Sequence, residues 1–289
     1  MTFNEIKQLK KQDWPEALLE INDPPEQLNY RGQQPDWSSV FLTVVGSRRY
    51  SQYGKEVCEK LISGLKGYDI TIVSGLALGI DGIAHKSALS NGLKTIAVPG
   101  SGIDKSVLYP SSNRGLAEQI LKAGGTLLSE FDPLEPANIW TFPQRNRIMA
   151  GLAKTVLIIE ATDRSGTLIT ARLALDYNRE VCVVPASIFS RYGMGSNKLL
   201  RQGATAINTS DDLLETLGFK SETDSSQKEL NFDDCSPEEK QILELLKEPK
   251  NRNELIQQSQ LTASQTNILL SSMEIKGFIK ESLGKIHLN

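Results

Sequence analysis

From Val40 onward the chain alternates short apolar runs with longer stretches whose apolar residues recur every three or four positions. The runs are VFLTVVG (40–46), DITIVSG (69–75), KTIAVPGSG (94–102), TLLSE (126–130), TVLIIEA (155–161), EVCVVPA (180–186) and the short ATAI (204–207). Each reads as a strand. The stretches between them read as helices: YGKEVCEKLISGLKGY, with Val57, Leu61, Ile62 and Leu65 on one face, then IDGIAHKSALSNG, SSNRGLAEQILKAGG, RNRIMAGLA, SGTLITARLALDYN, GSNKLLRQGA and DDLLETLG. Strands of unbroken Val, Ile and Leu have no polar face to turn to water, so they need cover on both sides. Such strands separated by helices predict an α/β domain over 40–218, built on a doubly wound and mostly parallel sheet.

The flanks follow different patterns. Residues 1–39 include WPEALLEINDPPEQLNYRG, whose prolines suit a packed N-terminal arm rather than a domain. Residues 219–234, FKSETDSSQKELNFDD, are polar, acidic and serine-bearing, and predict a flexible linker. Residues 235–289 hold three helical patterns followed by FIKESLGKIHLN, two short strands about a Leu-Gly turn. The first helix opens with a Ser236 cap, Pro237 and Glu239. Helix, helix, helix and hairpin predict a small winged-helix domain, with Ile268, Leu269 and Met273 expected in its core.

Composition adds exclusions. Of the 289 residues, 39% are hydrophobic and 23% charged, ordinary for a globular chain and unlike a disordered, collagen-like or rod-like one. No window approaches about 18 consecutive apolar residues, so no transmembrane helix is expected. The opening MTFNEIKQLKKQDW lacks the apolar core of a signal peptide. Three scattered cysteines, Cys58, Cys182 and Cys235, suit neither a disulfide framework nor a zinc site. The expectation is a soluble cytoplasmic protein with reduced thiols.

Net charge is −3, from 32 basic and 35 acidic residues, which argues against a generally basic nucleic-acid coat. Its distribution is uneven. Residues 1–43 carry four basic and seven acidic residues, and 219–234 carry two and five. Residues 44–218 carry 19 and 16, and 141–172 alone carry five and two. A polyanion would therefore meet the central domain, in a local groove.

Candidate chemistry collects at the carboxyl ends of the predicted strands, where a doubly wound sheet binds ligands against helix N-termini. Three glycine-bearing strand ends share small residues that let a backbone approach an anion: Gly46-Ser47-Arg48, Ser74-Gly75-Leu76-Ala77-Leu78-Gly79-Ile80-Asp81, and Gly100-Ser101-Gly102-Ile103-Asp104. Gly46 frees the turn, Ser47 offers a hydroxyl, and Arg48 forks onto a phosphate. The plainer alternative is that the glycines merely end strands. The first loop lacks the G-x-G-x-x-G dinucleotide fingerprint and no Walker lysine occurs, so neither NAD nor a P-loop triphosphate is expected, and no cofactor is assigned.

The segment Trp140-Thr141-Phe142-Pro143-Gln144-Arg145-Asn146-Arg147-Ile148 sets two arginines around an amide, beside two aromatics. That combination suits phosphates with base stacking, as in single-strand binders. The alternative is an exposed loop with its aromatics packed in the core. Ser165-Gly166-Thr167 repeats the glycine-and-hydroxyl pattern at a helix start, where Ser165 is either a ligand or an N-cap. Catalytic candidates are poor. Asp81 and His85 stand four apart on one helix, a metal or acid–base spacing, but His287 is the only other histidine. Packing is the alternative for His85. Glu130 and Glu160 follow strands and are candidate bases. No catalytic residue and no metal site is assigned.

In chain order, Gly46-Ser47-Arg48, Ser74 to Asp81, Gly100 to Asp104, Tyr109-Pro110, Phe142 to Ile148 and Ser165 to Ala171 resemble the DprA/Smf family (DNA processing protein A). The resemblance covers nearly all of residues 14–218, and six blocks in this order are highly specific. It implies a Rossmann-like domain that binds single-stranded DNA, forms homodimers and loads the RecA recombinase during natural transformation; it does not imply an enzyme, and no membrane partner is expected. Carried over by matching position, the DNA pocket would use Gly46, Ser47, Arg48, Ser74, Gly75, Phe142, Arg145, Asn146 and Arg147. Ser165 and Thr167 join them from the residue pattern, with Arg114 and Lys86 as secondary candidates. Departures from the family pattern are Ser111 where a basic residue often follows Tyr-Pro, Phe131-Asp132-Pro133-Leu134 after Ser129-Glu130, Pro185-Ala186 where Pro-Gly is common, and an arm in place of a larger N-terminal helical domain.

A winged helix also occurs in many family members. Here its last helix, Thr262–Lys276, carries one lysine and one glutamate, and 235–289 has seven basic and seven acidic residues. Duplex reading normally needs a basic face, which leaves protein contact or duplex sensing as the alternatives. A different class of function is a nucleotide hydrolase of the lysine-decarboxylase-like type, or a nucleotide sensor. Against it, no Pro-Gly-Gly-x-Gly-Thr block occurs, and Pro99-Gly100-Ser101-Gly102 is the nearest approach.

Overall fold

The computed structural model of the protein describes residues 5–219, 235–246, 248–259, 261–282 and 284–288. The chain divides into two compact units, residues 1–221 and 222–289. The acidic stretch expected as a linker lies, beyond Phe219, outside the described residues. Phe219 itself packs edge-on against Tyr68, ring centroids 5.2 Å apart.

The first unit is a nine-stranded sheet with helices on both faces. Its chain runs β1 (Ile6–Gln8), α1 (Glu16–Leu19), β2 (Asn29–Gly32), β3 (Val40–Val45), α2 (Gln52–Ser63), β4 (Ile70–Ser74), α3 (Ile80–Ser90), β5 (Lys94–Ala97) and α4 (Arg114–Lys122). It continues with β6 (Thr126–Ser129), α5 (Thr141–Leu152), β7 (Thr155–Ile158), α6 (Thr167–Asp176), β8 (Glu180–Val183), α7 (Met194–Arg201), β9 (Thr205–Ala206) and α8 (Ser210–Thr216). The order across the sheet is β1-β2-β6-β5-β4-β3-β7-β8-β9. From β6 to β9 every pairing is parallel, so the doubly wound, Rossmann-like architecture is realised.

The N-terminal arm contributes to the sheet as well as packing on it. β2 pairs antiparallel with β6, Tyr30 opposite Leu128, and β1 pairs antiparallel with β2. β3 lies at the centre of the seven parallel strands. The chain winds outward from it through β4, β5 and β6, then returns to pair β7 with its other edge, Leu42 opposite Thr155. The reversal of winding between β3 and β7 leaves a crevice beyond their carboxyl ends.

Strand alternation splits the core into two layers. Phe41 and Val45 of β3 face a cluster with Ile148 and Met149 of α5 and Ala171 and Ala174 of α6. Leu42 and Val44 face Cys58, Leu61 and Ile62 of α2 and Ile80, Ile83 and Ala84 of α3. The one polar residue inside β3, Thr43, is buried and donates from Oγ1 to the Met149 carbonyl at 2.8 Å. Cys58, Cys182 and Cys235 are free and buried. Burial pushes the Cys182 thiol up to about 12 and Cys58 higher still, so neither forms a reactive thiolate.

The second unit holds α9 (Pro237–Leu245), α10 (Arg252–Gln258), α11 (Ala263–Ile275) and a hairpin of β10 (Ile279–Ser282) with β11 (Lys285–Leu288). Each helix starts in a capping box: Ser236 with Glu239, Asn251 with Glu254, Thr262 with Gln265. Ile242, Leu255, Leu270, Met273, Ile279 and Ile286 form its core. Met273 is buried as expected, and Leu269 packs partly against that core. Ile268 is exposed, contrary to expectation, because the helix turns Thr266, Leu270 and Met273 inward and so carries Ile268 to the far side. Among the described residues, no helix is long and apolar enough to cross a membrane.

Candidate nucleic-acid interface

The crevice beyond β3 and β7 is a cavity of about 330 Å³. Gly46 and Arg48 line it from the end of β3, Asp81 from α3, Phe142, Arg145 and Asn146 from α5, and Ser165 and Thr167 from the start of α6. A shallower groove adjoins it, walled by Arg48, Gly75, Leu78, Tyr109 and Phe142. Seven of the sequence candidates therefore meet in one place, and Gly75 lies in the neighbouring groove.

Arg48 and Phe142 are shared by both depressions. The exposed Arg48 guanidinium lies over the Phe142 ring, 4.9 Å from its centroid, and Tyr109 tilts against the same ring, centroids 5.7 Å apart. Tyr109 was visible in the sequence only as part of Tyr109-Pro110, with no role attached. Phe142 can sit there because residue 100 is glycine: a Cβ on Gly100 would stand 2.5 Å from the ring. The backbone of Arg48 is fixed from below. Gly79, at φ +82°, brings the start of α3 so close that a Cβ on it would fall 2.3 Å from the Ser47 carbonyl oxygen.

Beneath this shelf a buried arginine and a buried aspartate stand against Gly75 and act on one another through charge. Arg145 is 4% exposed; its guanidinium donates to the Gly75 and Val98 carbonyls and to Asn146 Oδ1. The Asp81 carboxylate accepts the Gly75 N–H at 3.1 Å. Burial brings Arg145 down to about 10 while Asp81 holds it up, and burial raises the Asp81 carboxyl against the pull of Arg145. Arg145 thus ties the ends of β4 and β5 together and neutralises the acid at the cavity floor. It is not free to grip a phosphate, as the sequence suggested.

Other candidates are also spent internally. Ser74 is fully buried and donates to the Val44 carbonyl at 2.7 Å. The Ser47 hydroxyl accepts the Arg49 N–H at 3.1 Å within its own turn. Arg114 turns back on its loop, donating to the carbonyls of Leu108 at 3.1 Å and Ser106 at 2.6 Å. Lys86 is exposed on α3 and lines neither depression. Arg147 lies in a separate cleft with Asp23, Glu26, Gln27, Glu130 and Gln144. It pairs with Glu130 and donates to the Asp23 carbonyl, so it clamps the N-terminal arm to α5. Tyr177 reinforces the clamp by donating to Asp23 Oδ1 at 2.7 Å.

The start of α6 keeps its backbone donors near the cavity. Ser165 Oγ accepts the Thr167 N–H at 3.2 Å in the turn before α6, whose N-cap is Gly166, so Ser165 lines the wall without being the N-cap that the sequence offered as an alternative. The acidic candidates have structural partners. Glu160 accepts the Ser51 N–H at 2.9 Å and the Ser51 hydroxyl, holding the entry to α2. Glu130 is bound to Arg147, and burial raises its carboxyl to about 7 against the pull of Arg147 and with a contribution from Asp23. His85 is turned away from Asp81 to the Thr95 hydroxyl at 2.8 Å, and burial drives it down to about 3, so it is neutral. Among the described residues, no cluster of three or more His, Cys, Asp or Glu could hold a metal.

The family model described as DNA recombination-mediator protein A matches residues 5–218. The chain is 41% identical over 206 residues to protein Smf of Escherichia coli, covering 71% of this chain and 54% of that one. It is 42% identical over 206 residues to DNA processing protein DprA of Streptococcus pneumoniae, covering 71% and 72%. It therefore spans about half the length of the first relative and nearly three-quarters of the second. The X-ray structure of the Streptococcus pneumoniae protein superposes with a TM-score of 0.69 at 39% identity, over 76% of each chain. A Helicobacter pylori DNA processing protein A, described for its single-stranded DNA binding mode, superposes with a TM-score of 0.66 at 30% identity, over 74% of this chain and 95% of that one. A doubly wound sheet with an arginine-on-phenylalanine shelf at its switch point, matched along residues 5–218, places this chain in the DNA recombination-mediator protein A family, DprA/Smf.

Proposed function

We propose that the protein binds single-stranded DNA without regard to sequence, in the cavity and groove at the carboxyl ends of β3, β4 and β7. The observation that carries the proposal is Arg48: an exposed cation held over the ring of Phe142, both lining a cavity that Ser165, Thr167 and Thr170 share with the apolar side chains of Met149 and Ile169. A phosphate meets the guanidinium and the N-terminal donors of α6, while a base meets the aromatic shelf. A duplex hides its base faces and gains nothing from the shelf, so single strands are preferred. The family relation, and the single-stranded DNA binding named for the Helicobacter pylori relative, support this assignment.

Within it, Gly46, Arg48, Phe142, Asn146, Ser165 and Thr167 form the contact surface. Arg145, Ser74 and Asp81 hold that surface in place, and Arg147 secures the arm behind it. The biological role we infer is protection of an incoming strand and loading of the RecA recombinase during natural transformation, carried out by a homodimer in the cytoplasm. The C-terminal unit is read as a winged helix. No bond-making step is part of the proposal.

Fluorescent oligo-dT and its duplex, titrated across a salt series with Arg48→Ala as control, test it. Tight, salt-sensitive binding that prefers the single strand and falls severely in Arg48→Ala is expected. Wild-type affinity in Arg48→Ala at moderate salt would remove Arg48 from the site. Competition by free mononucleotide at low concentration would favour a nucleotide enzyme or sensor instead.

A further inference from the structure

The first turn of α5 carries two large aromatics, and the candidate groove uses only one of them. Phe142 is packed between Arg48 and Tyr109. Trp140, two residues earlier, is 78% exposed, and Ile139 beside it 79%. A tryptophan this exposed forgoes the burial of one of the largest apolar side chains. Its backbone, however, is fixed. Asn138 Oδ1 accepts the N–H groups of Trp140 at 2.9 Å and Thr141 at 3.2 Å. Thr141 Oγ1 in turn donates to the Gly100 carbonyl at 2.5 Å, the same glycine that admits the Phe142 ring. One hydrogen-bonded unit therefore fixes the backbone at both aromatics, Phe142 lining the groove and Trp140 exposed two residues before it.

We propose that Trp140 is a second base-stacking surface, taking the face of an unpaired nucleobase next to the one received at Phe142. This deepens the single-strand assignment above and rests on it. A nucleobase fits better than a protein side chain because Trp140 stands two residues from Phe142, within one nucleotide's reach of where a strand would already be held. It brings no cation of its own, and neither do Ile139 and Thr141, so it meets a base face rather than a phosphate. A rigid backbone beneath the indole lowers the ordering cost of stacking.

The indole supplies its own signal. Trp14 is buried with Nε1 donating to the Leu9 carbonyl, and Trp37 is part-buried with Nε1 donating to the Asp13 carbonyl, which leaves Trp140 as the tryptophan open to an added strand. Oligo-dT should quench tryptophan emission of the full chain. Trp140→Phe should keep most of the affinity while losing most of the quenching. Trp140→Ala should bind about 5- to 150-fold more weakly, the range that base–aromatic stacking gives, with the salt dependence unchanged. If Trp140→Ala binds oligo-dT as the wild type does while Arg48→Ala loses binding, the stacking role is refuted and the groove stands. If Trp140→Ala alters self-association but not DNA affinity, the tryptophan is a protein contact and the proposal falls. If the wild type binds no oligo-dT, the groove assignment fails and the stacking role with it.

Discussion

Arg145→Ala separates two roles that the sequence left together. A phosphate ligand, when removed, weakens DNA binding and leaves the fold intact. Arg145 instead lines the cavity from a buried position, near the Asp81 charge and donating to the Gly75 and Val98 carbonyls. Its truncation leaves the Gly75 and Val98 carbonyls without their donor, at about 1–3 kcal/mol each, and removes the favourable charge beside buried Asp81. At about 2–4 °C per kcal/mol for a domain of this size, the two lost bonds alone should lower the Tm by about 4–24 °C. The deficit should depend on pH. Burial already raises the Asp81 carboxyl, and losing the arginine raises it further above its unfolded value. The folded variant then holds a proton that the unfolded chain releases, so stability is retained below the unfolded carboxylate pKa and lost as pH rises through the folded one. Thermal unfolding of the wild type, Arg145→Ala, Asp81→Asn and the double variant between pH 4 and 8 measures this. The double variant should be less destabilised than the sum of the singles, because neither charge is left alone. A Tm within about 2 °C of wild type, together with a salt slope for oligo-dT reduced by about one, would refute the structural role and restore Arg145 as a phosphate contact.

Gly100→Ala puts a methyl group 2.5 Å from the Phe142 ring, so the shelf should be displaced and affinity for oligo-dT reduced, although Arg48 is untouched; equal affinity would mean that the ring can move at no cost to binding. Glu130, raised to about 7 in the folded state mainly by burial, should make stability decline as pH rises from its ordinary value near 4.5 through about 7. Glu130→Gln should flatten that part of the Tm–pH curve, and an unchanged slope would place its origin in another group. Alanine at Arg48 should leave the Tm within about 2 °C of wild type, since its side chain is exposed, while its effect appears in DNA binding alone.

The local rules of the chain were enough for the architecture. Unbroken Val/Ile/Leu runs separated by amphipathic stretches required a parallel sheet covered on both faces, and the caps at Ser236, Asn251 and Thr262 follow from adjacent residues alone. The strand-end glycines and the Arg48 and Phe142 segments were legible for the same reason: turns and small residues are local chemistry. What the sequence could not supply was direction. Arg145 and Arg147 read as a matched pair, yet residues two apart on a helix point about 200° from one another. Packing of α5 against the sheet sent one to the Gly75 carbonyl at the strand ends and the other to Asp23 and Glu130 beside the arm. β2 was equally hidden, since Asn29–Gly32 has no strand pattern of its own and is extended because β6 offers an open antiparallel edge. Periodicity within a segment determined which elements form. Contacts between residues far apart in the chain, such as Gly75 with Arg145, decided which side chains are free to meet a ligand and which are spent holding the site together.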